Sequence, residues 1–517
     1  MILLINPPLV KPCEPPPGIA RLYGALSMSG VKCSIIDANI EGLLYLLGKT
    51  PSDAGRWTTR AYRNRARNLE SIRSGQGYRD LQRYKRVVSD LNRLIGKAGQ
   101  SGGGVQLSLS NYRDCRLSAV RASDLFRAAE EFEKNVFHEY FSKRISGALE
   151  LYSPDVVGVS LNYLSQALTA FSIIGFIRAR YGKVRIVLGG SLITSWMRKP
   201  HWTNPFSGLV DQVVDGPGEQ VLLHLAGKNE TIRRGRFSYD PFPMGDYFSP
   251  GPIIPYSSSR GCYWNRCAFC PEKAERVCYD PISAETAVRE AKELCSVSKP
   301  VLMHFLDSAV SPALLSKLSE TPPGAPWYGF ARVTRRLADE DFCRTLKRSG
   351  CVMLKLGLES GDQGVIDAEG KGIDLAVASK ALASLRKAGI GTYVYLLFGT
   401  PSESEDEARN TLEFTVRHGR FIDFLNLAIF NMPLNSPEAA KFATSPHYEG
   451  DLSLYTGFSH PRGWDRPKVR RFLEMEFKRQ PAITRILANE PPFFTSNHAP
   501  LFCAPMNHER EAGDRNL

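Results

Sequence analysis

Short apolar stretches, each about as long as a β-strand, recur through the first part of the chain. Segments with helical spacing lie between them, such as residues 18–30, which end at a glycine. Parallel strands are joined by helical crossovers that cover both faces of the sheet, so this alternation predicts an open, parallel, Rossmann-like α/β sheet. The predicted strands are residues 2–8, 31–39, 156–163, 184–192 and 209–216.

Small or polar residues follow four of these five strands. Parallel sheets bind ligands at the carboxyl ends of their strands, and glycines there let a large flat ligand approach the backbone closely. Ordinary tight turns use the same residue types, and this alternative stays open. The residues concerned are Asn6, Asn162, Tyr163, Gly189, Gly190, Ser191, Gly216, Gly218 and Glu219.

A second strand-and-helix series begins near residue 253. Six parallel strands of this kind favour a partial (β/α) barrel of six strands over a second open sheet. The alternation is lost beyond about residue 440, where the chain becomes rich in proline and aromatic residues and predicts a short irregular or helical cap. The strands of this series are residues 253–259, 301–308, 327–333, 351–360, 391–401 and 421–433.

These patterns divide the chain of 517 residues into three predicted domains. A Rossmann-like domain occupies residues 1–235 and carries a helical insertion at about 50–136. The partial barrel occupies residues 250–440, and the C-terminal cap occupies 441–517. A chain of this length can bury several well-packed cores.

The net charge of +13 is concentrated in the insertion. Residues 51–100 hold twelve Lys and Arg against four Asp and Glu, a local net charge of +8. Charge runs with helical spacing are usually solvated surface helices, so a nucleic-acid partner is not the favoured interpretation, although contact with RNA, an acidic substrate or a protein partner stays open. No apolar run is long enough to span a membrane and no export signal is evident, so we expect a cytoplasmic protein without a membrane contact.

Three of the eleven cysteines cluster in the segment "SRGCYWNRCAFC". Thiolates at Cys262, Cys267 and Cys270 would converge on one metal site. A structural zinc ion needs four protein ligands, and no second cysteine pair follows; the nearest downstream histidine, His304, lies within a predicted strand. Three thiolates without a fourth ligand suit a 4Fe–4S cluster with one open iron, while zinc and unligated structural cysteines are the alternatives.

A cysteine loop after the first barrel strand, with Phe269 just before the last cysteine, resembles the radical S-adenosyl-L-methionine (SAM) superfamily. That family usually has C-x3-C-x2-C, whereas this chain has C-x4-C-x2-C. The segments "FARVT", "GLESGDQ" and "YLLFGTPSES" resemble the family's third-, fourth- and fifth-strand segments, in the family's order. The alternative for Arg332 and Glu359 is a structural ion pair inside the barrel. The resemblance implicates in SAM binding Phe269, Arg332, Glu359, Ser360, Tyr395 and Gly399.

The N-terminal segments "ILLINPP", "SPDVVGVSLNY", "VLGG" and "DGPGE" resemble, in order, the cobalamin-binding domain of the cobalamin-dependent branch of this superfamily. The resemblance implies cobalamin at the strand ends named above. Many cobalamin domains supply a histidine to cobalt from a D-x-H-x-x-G loop, but the loop after the first strand here is "PPLVKPCEPPPG". We therefore expect cobalamin without a histidine ligand; a degenerate domain without cobalamin is the alternative.

The resemblance implies an enzyme that cleaves SAM reductively and, with cobalamin, methylates an unactivated carbon or phosphorus centre, consuming two SAM molecules per product. Its expected partners are a small-molecule or peptide substrate and a reductant such as flavodoxin or ferredoxin. The alternatives are a radical SAM rearrangement or oxidation, with or without cobalamin, and, in another class, a metal-stapled scaffold that binds RNA.

Overall fold

The structure is a computed structural model that describes residues 1–51, 55–101, 104–229, 231–232, 234–446, 450–492 and 498–503. The chain divides into two compact units. The first comprises Met1–Pro252 with residues 450–454, and the second comprises the barrel segment from Ile253 onward with residues 455–491. Of the predicted cap, residues 504–517 lie outside the described part of the chain.

The first unit alternates strands and helices, with two long helices inserted after the second strand. In chain order its elements are β1 (Ile2–Asn6), α1 (Pro17–Met28), β2 (Cys33–Asp37), α2 (Ala38–Gly48), α3 (Arg56–Arg73), α4 (Leu81–Ser101), β3 (Val105–Leu107), β4 (Tyr112–Asp114), α5 (Ala122–Glu130), α6 (His138–Tyr152), β5 (Val156–Ser160), α7 (Leu164–Arg180), β6 (Arg185–Gly189), α8 (Ser191–Met197), β7 (Gln212–Val213) and α9 (Glu219–Leu225).

Five parallel strands of this unit form one sheet in the order β2-β1-β5-β6-β7. The register aligns Asn6 with Asp37 and Ser160 with Gly189, so the carboxyl ends of neighbouring strands lie at one edge. The central strands are wholly buried because apolar side chains face helices on both sides. The predicted open parallel sheet is confirmed.

The insertion contains α3 and α4, which pack against each other, and an antiparallel hairpin of β3 and β4. Ala61 and Ile72 on α3 and Leu91 and Ile95 on α4 are buried, while many of the arginines face solvent. The apolar stripe at helical spacing thus drives the packing of this pair. The sequence analysis missed the hairpin because its two strands are only three residues long.

The second unit repeats the strand–helix alternation and ends with short irregular elements. In chain order its elements are β8 (Ile253–Tyr256), β9 (Ser259–Arg260), α10 (Pro271–Ala274), β10 (Asp280–Pro281), α11 (Ala284–Ser298), β11 (Leu302–Phe305), α12 (Pro312–Glu320), β12 (Trp327–Ala331), α13 (Glu340–Arg348), β13 (Cys351–Glu359), α14 (Gln363–Ala368), α15 (Leu375–Lys387), β14 (Gly391–Phe398), α16 (Glu405–His418), β15 (Phe424–Ile429), β16 (Met432–Pro433), β17 (Thr444–Pro446), β18 (Tyr455–Phe458), α17 (Arg466–Phe472) and α18 (Pro481–Leu487).

Six parallel strands form the main sheet of this unit in the order β15-β14-β13-β12-β11-β8. These are the six strands that the apolar pattern predicts, so the predicted partial barrel is confirmed. Two small antiparallel sheets, β9 with β10 and β16-β18-β17, were not anticipated. β9 follows β8 directly and pairs with β10, which lies beyond the third cysteine, so this pair joins the two ends of the cysteine segment.

Candidate functional site

The cysteine loop begins at the carboxyl end of β8, and hydrogen bonds to the Asp307 carboxylate fix its first residues. The Asp307 carboxylate accepts hydrogen bonds from the backbone N–H of Ser258 (3.1 Å), the Ser258 hydroxyl (2.6 Å) and the Ser259 hydroxyl (2.5 Å). Gly261 follows with a φ of +72°, and a Cβ at this position would lie 2.8 Å from the carbonyl oxygen of Cys278. Glycine is therefore required where the chain turns into the loop.

The three cysteines of the loop share one electrostatic environment. Cys267 is buried, Cys262 and Cys270 are partly buried, and the Cys267 thiol interacts electrostatically with both of the others. Burial raises the pKa of Cys267, while the positive charges of Lys371 and Arg332 oppose that rise. A thiolate, not a thiol, binds metal, so these two cations favour the ligating form.

Within the described ranges, no three His, Cys, Asp or Glu side chains lie close enough together to hold a metal ion. The structure thus brings the three cysteines into one loop without closing them on a common point. Their chemistry still fits the predicted group, because three soft thiolates on a short loop leave one cluster iron open. Their assignment as cluster ligands stays a prediction.

Charged side chains from the residue after β12, the end of β13 and the segment after α14 meet beside the loop. The Lys371 ammonium forms an ion pair with the Glu359 carboxylate at 2.7 Å and lies 5.5 Å from the centre of the Phe269 ring. Arg332, almost fully buried, donates to the carbonyl oxygen of Lys371. The backbone of Glu359, the last residue of β13, has a left-handed φ of +71°, a strained conformation for a residue other than glycine.

Arg332, Glu359 and Phe269 all contact Lys371, whereas the side chain of Ser360, the residue after Glu359, makes its contacts elsewhere. The Ser360 hydroxyl is 1% exposed; it hydrogen-bonds Thr411 on α16 at 3.0 Å and accepts the backbone N–H of Asp362. These contacts give Ser360 a structural role at the start of α14. Its predicted contact with SAM stays untested.

Tyr395 lies in the carboxyl half of β14, and Gly399 directly follows its last residue. The Tyr395 ring packs on Phe330 of β12, with ring centres 4.9 Å apart, and burial raises its pKa far above the usual range for tyrosine. Gly399 has a φ of +80° and donates its backbone N–H to the Glu403 carboxylate at 2.5 Å. The turn after β14 is therefore set by a carboxylate of its own sequence.

A cavity of about 300 Å³ lies between the cysteine loop and the turn after β14. Its walls include three phenylalanines, Phe269, Phe430 and Phe442. Its polar lining includes Glu369, 7% exposed, whose carboxylate accepts the Ser402 hydroxyl at 2.6 Å. Aromatic walls with a few fixed polar groups are typical of sites for small flat ligands.

Sequence reasoning missed Asp307, Glu369 and Lys371, all of which contact or adjoin predicted site residues. Asp307 had a usable signal, since it follows β11 at the same edge as the cysteine loop. Lys371 lies between two glycines in "EGKG", and Glu369 starts the same segment. No local sequence pattern predicts the contacts of Lys371 and Glu369, because their partners are distant in the sequence and come near only on folding.

The first unit gathers several predicted residues at the carboxyl edge of its sheet. The Asn162 side-chain oxygen accepts the backbone N–H of Ser191 at 3.0 Å, and the Ser191 hydroxyl donates to the carbonyl oxygen of Asn162. At Gly190, with a φ of +113°, a Cβ would lie 2.3 Å from the carbonyl oxygen of Leu161. Glycine at 190 thus allows the β5 and β6 loops to touch.

The glycines that follow β6 and β7 differ in their surroundings. Gly189 ends β6, and a Cβ there would meet Val214 only at 3.6 Å, an ordinary contact. Gly216 has a φ of +72°, and its backbone N–H donates to the Thr194 hydroxyl on α8 at 2.9 Å. The loop after β7 therefore requires a glycine at 216, whereas residue 189 tolerates a side chain.

Three further predicted residues of this edge have different exposures. Tyr163 is 60% exposed beside Asn162, while Glu219 is 6% exposed at the start of α9. Asn6 is buried; it donates to the Asp37 carboxylate at 2.8 Å and accepts from Gln166 at 3.2 Å. Asn6 thus holds the sheet edge together from inside, and Tyr163 presents its ring to solvent.

Comparison with known proteins identifies the second unit. Residues 256–415 match the family model described as "Radical SAM superfamily", so this chain contains a radical SAM domain. The resemblance inferred from the cysteine loop is confirmed, together with the superfamily's 4Fe–4S cluster and SAM. The ligands of the two cofactors are not identified by this match.

One curated relative extends beyond this domain. The protein named "Uncharacterized methyltransferase PH0819", from Pyrococcus horikoshii, is 23% identical over 313 residues. The aligned region covers 52% of this chain and 66% of the relative. The match thus spans just under two thirds of that protein's own length.

Two solved structures are similar along most of the chain. TsrM from Kitasatospora setae, a radical S-adenosylmethionine methyltransferase solved with its tryptophan substrate and a SAM analogue, has a TM-score of 0.54 at 15% identity, covering 95% of this chain and 89% of TsrM. The cobalamin-dependent S-adenosylmethionine radical enzyme OxsB, solved with aqua-cobalamin, has a TM-score of 0.53 at 14% identity, covering 83% of this chain and 53% of OxsB. At these identities the likeness shows the fold alone.

None of the helices in the described parts of the chain is both long enough and apolar enough to cross a membrane. The expected cytoplasmic location stays a prediction.

Proposed function

We propose that this protein is a radical SAM enzyme that uses cobalamin to methylate an unactivated carbon or phosphorus centre. The observation that carries the first half of the proposal is the cavity between the cysteine loop and the turn after β14. Phe269 precedes the third cysteine and lines this cavity together with Ser402 of the "FGTPSES" segment. Two segments that resemble SAM-contacting motifs thus border one space of suitable size.

In this proposal Cys262, Cys267 and Cys270 hold the 4Fe–4S cluster. When bound, the cluster and SAM supply one-electron reduction and a radical able to abstract hydrogen, and cobalamin supplies a methyl group. The phenylalanine walls of the cavity would hold the flat nucleoside base, and the buried Glu369 carboxylate would accept hydrogen bonds from its polar edge.

The cations beside the loop suit the anionic end of SAM. Arg332 precedes Glu359 in the sequence and Lys371 follows it. Both cations interact electrostatically with Cys267. A guanidinium offers a planar fork of donors that matches a carboxylate. We therefore assign Arg332 to the carboxylate of SAM, while the Lys371–Glu359 ion pair fixes the loop that carries both Lys371 and Glu369.

Cobalamin is proposed for the carboxyl edge of the first unit's sheet. The positive φ values of Gly190 and Gly216, and the side-chain-free edge at Gly189, leave backbone for a flat macrocycle to approach. Solved structures of TsrM and OxsB, both similar in fold, hold cobalamin. The loop after β1 contains no histidine, so this chain offers no histidine from that loop to cobalt.

The proposed partners follow from the chemistry. Reductive cleavage of SAM consumes an electron, so a low-potential carrier such as flavodoxin or ferredoxin is required. The substrate would be a small molecule or a peptide, and the whole reaction would take place in the cytoplasm. Nucleic acid is not assigned as a partner.

The test is anaerobic reconstitution, counts of iron, cobalt and zinc, and incubation with SAM and a low-potential reductant. A methyltransferase of this kind releases two products from SAM: 5′-deoxyadenosine from reductive cleavage and S-adenosylhomocysteine from methylation of cobalamin. The second product should form stoichiometrically with bound cobalamin even without substrate.

The products separate the candidate functions. If 5′-deoxyadenosine forms alone with cobalamin fully bound, methyl transfer is rejected and a rearrangement or oxidation remains. If neither product forms and the protein holds zinc, the radical SAM activity itself is rejected for this chain.

A further inference from the structure

The four residues between Cys262 and Cys267 do more than lengthen the loop. The indole of Trp264, the second of them, packs between the loop and the segment after α14. Its Nε1–H donates to the carbonyl oxygen of Gly370 at 2.9 Å. At Gly372, with a φ of +65°, a Cβ would lie 2.2 Å from Cζ2 of the indole. Trp264 thus occupies a slot that glycine leaves open.

The Arg332 side chain packs against the face of this indole. The Arg332 guanidinium carbon lies 4.0 Å from the centre of the Trp264 ring, a close cation–π contact. Arg266 approaches the same ring at 5.1 Å but is exposed to solvent. The buried guanidinium is therefore the one that the indole orients.

Two other groups complete the support of Arg332. Its Nη2 donates to the carbonyl oxygen of Lys371, and Tyr263, the residue before Trp264, interacts electrostatically with the guanidinium. The Trp264 indole and the Lys371 carbonyl thus hold the Arg332 guanidinium from two sides, and the indole comes from the gap between the first two cysteines.

We propose that Trp264 is a positioning residue for the carboxylate end of SAM and acts through Arg332. This inference rests on the proposed function, in which Arg332 binds that carboxylate. The aromatic platform under the cation comes from the gap in which this chain has one residue more than the family's usual spacing. A flexible arginine side chain loses rotamer entropy when it binds, and a platform that fixes it beforehand reduces that loss.

The test measures SAM binding to anaerobically reconstituted protein by equilibrium dialysis, alongside iron content and the kinetics of 5′-deoxyadenosine formation. Trp264→Leu should raise the Kd and KM for SAM by about 3- to 30-fold, the range expected for loss of a cation–π contact, with kcat changed far less. Trp264→Phe keeps an aromatic face and should restore part of the affinity. Arg266→Gln, on the exposed side of the ring, is the matched control and should leave SAM affinity unchanged.

A double-mutant cycle decides whether Trp264 acts through Arg332. Arg332→Gln should weaken SAM binding, and adding Trp264→Leu to it should cause little further loss. Fully additive losses, or normal SAM affinity in Trp264→Leu with iron intact, would overturn the inference. If Trp264→Leu sheds iron, Trp264→Phe, which weakens the cation–π contact only in part, is used in the cycle and should show the same non-additivity with a smaller loss. A wild-type protein that holds iron but does not bind SAM would instead reject the proposed function.

Discussion

The Trp464 indole N–H donates to the Glu403 carboxylate at 2.9 Å and thereby joins the segment after β18 to the turn after β14. The Glu403 oxygen that accepts this bond also accepts Gly399 N–H, while its other oxygen, Oε1, is buried and has no hydrogen-bond partner among the described residues. Burial raises the pKa of Glu403 to about 8. The site turn is thus held by a carboxyl group that folding keeps protonated at neutral pH.

Glu403 should therefore make the stability of the second unit depend on pH. Its folded pKa of about 8 lies above the ordinary value of 4.5, so the folded state binds the proton more tightly between these values. The free energy of unfolding then falls as pH rises from about 4.5 to about 8. Glu403→Gln removes this titration. Between pH 5 and a pH above 8, the free energy of unfolding of wild type should therefore fall by roughly 2–4 kcal/mol more than that of the variant.

Thermal or denaturant unfolding of wild type and variant across this pH range provides the measurement. Glu405→Gln is the matched control, because Glu405 is half exposed on α16 and pairs with Arg409. Parallel pH profiles for wild type and Glu403→Gln would show that Glu403 is ionised in the folded protein. The neighbouring carboxylates Glu369 and Glu407 also raise the Glu403 pKa, so they stay unchanged in this comparison.

The strands were predictable because the residues of each strand form a recognisable apolar pattern on their own. Buried parallel strands have continuous apolar runs, and all eleven strands of the two main sheets fall within predicted stretches. The contacts that shape the site leave no such local signal. Trp264 meets Gly370 over 106 residues of chain, and Trp464 meets Glu403 over 61. One sequence also does not separate a polar residue that faces a ligand from one, like Asn6, that is buried in a hydrogen-bond network.

Replacing Cys262, Cys267 and Cys270 together with Ala should abolish iron binding. Three thiolates hold the cluster in the proposed function, and iron in anaerobically purified protein should fall from about four atoms per chain to a background level. Iron assay and the broad visible charge-transfer absorbance measure the change. Cys278→Ser is the control: Cys278 is exposed and lies outside the three, and this variant should keep its iron. A triple variant that retains iron and spectrum would contradict the ligand assignment.

Cobalamin bound to this protein should show no histidine ligand on cobalt. Protein produced with cobalamin uptake should copurify with cobalt, and the Co(II) EPR spectrum should lack nitrogen superhyperfine splitting from imidazole. The physical reason is the loop after β1, "PPLVKPCEPPPG", which contains no histidine. Clear nitrogen splitting from a protein histidine would disprove this prediction, and absence of cobalt would favour a radical SAM reaction without cobalamin.

The basic helices α3 and α4 should bind generic RNA only weakly. Their arginines are spread over a solvated surface, so any binding would be governed by counterion release and should collapse between low and physiological salt. Filter binding of a mixed-sequence RNA at several salt concentrations measures this slope. Tight binding that survives physiological salt would point to RNA as a partner or substrate and would revive the alternative that the charge of this insertion leaves open.

Asp307→Asn should loosen the cysteine loop without touching a cysteine. The buried carboxylate accepts from one backbone N–H and two hydroxyls, and an amide can accept from some of these donors only while turning its own NH2 toward another. Loss of charged hydrogen bonds of this kind costs roughly 1–3 kcal/mol, so the melting temperature should fall and iron should dissociate faster on anaerobic dilution.

Asp341→Asn, at an 89% exposed carboxylate on α13, controls for charge and should change neither quantity. Because Asp307 holds only the first residues of the loop and is not among the proposed metal ligands, iron content immediately after reconstitution should approach that of wild type, and only its retention should suffer. Unchanged retention would mean that the β9–β10 pairing and Gly261 fix the start of the loop without Asp307.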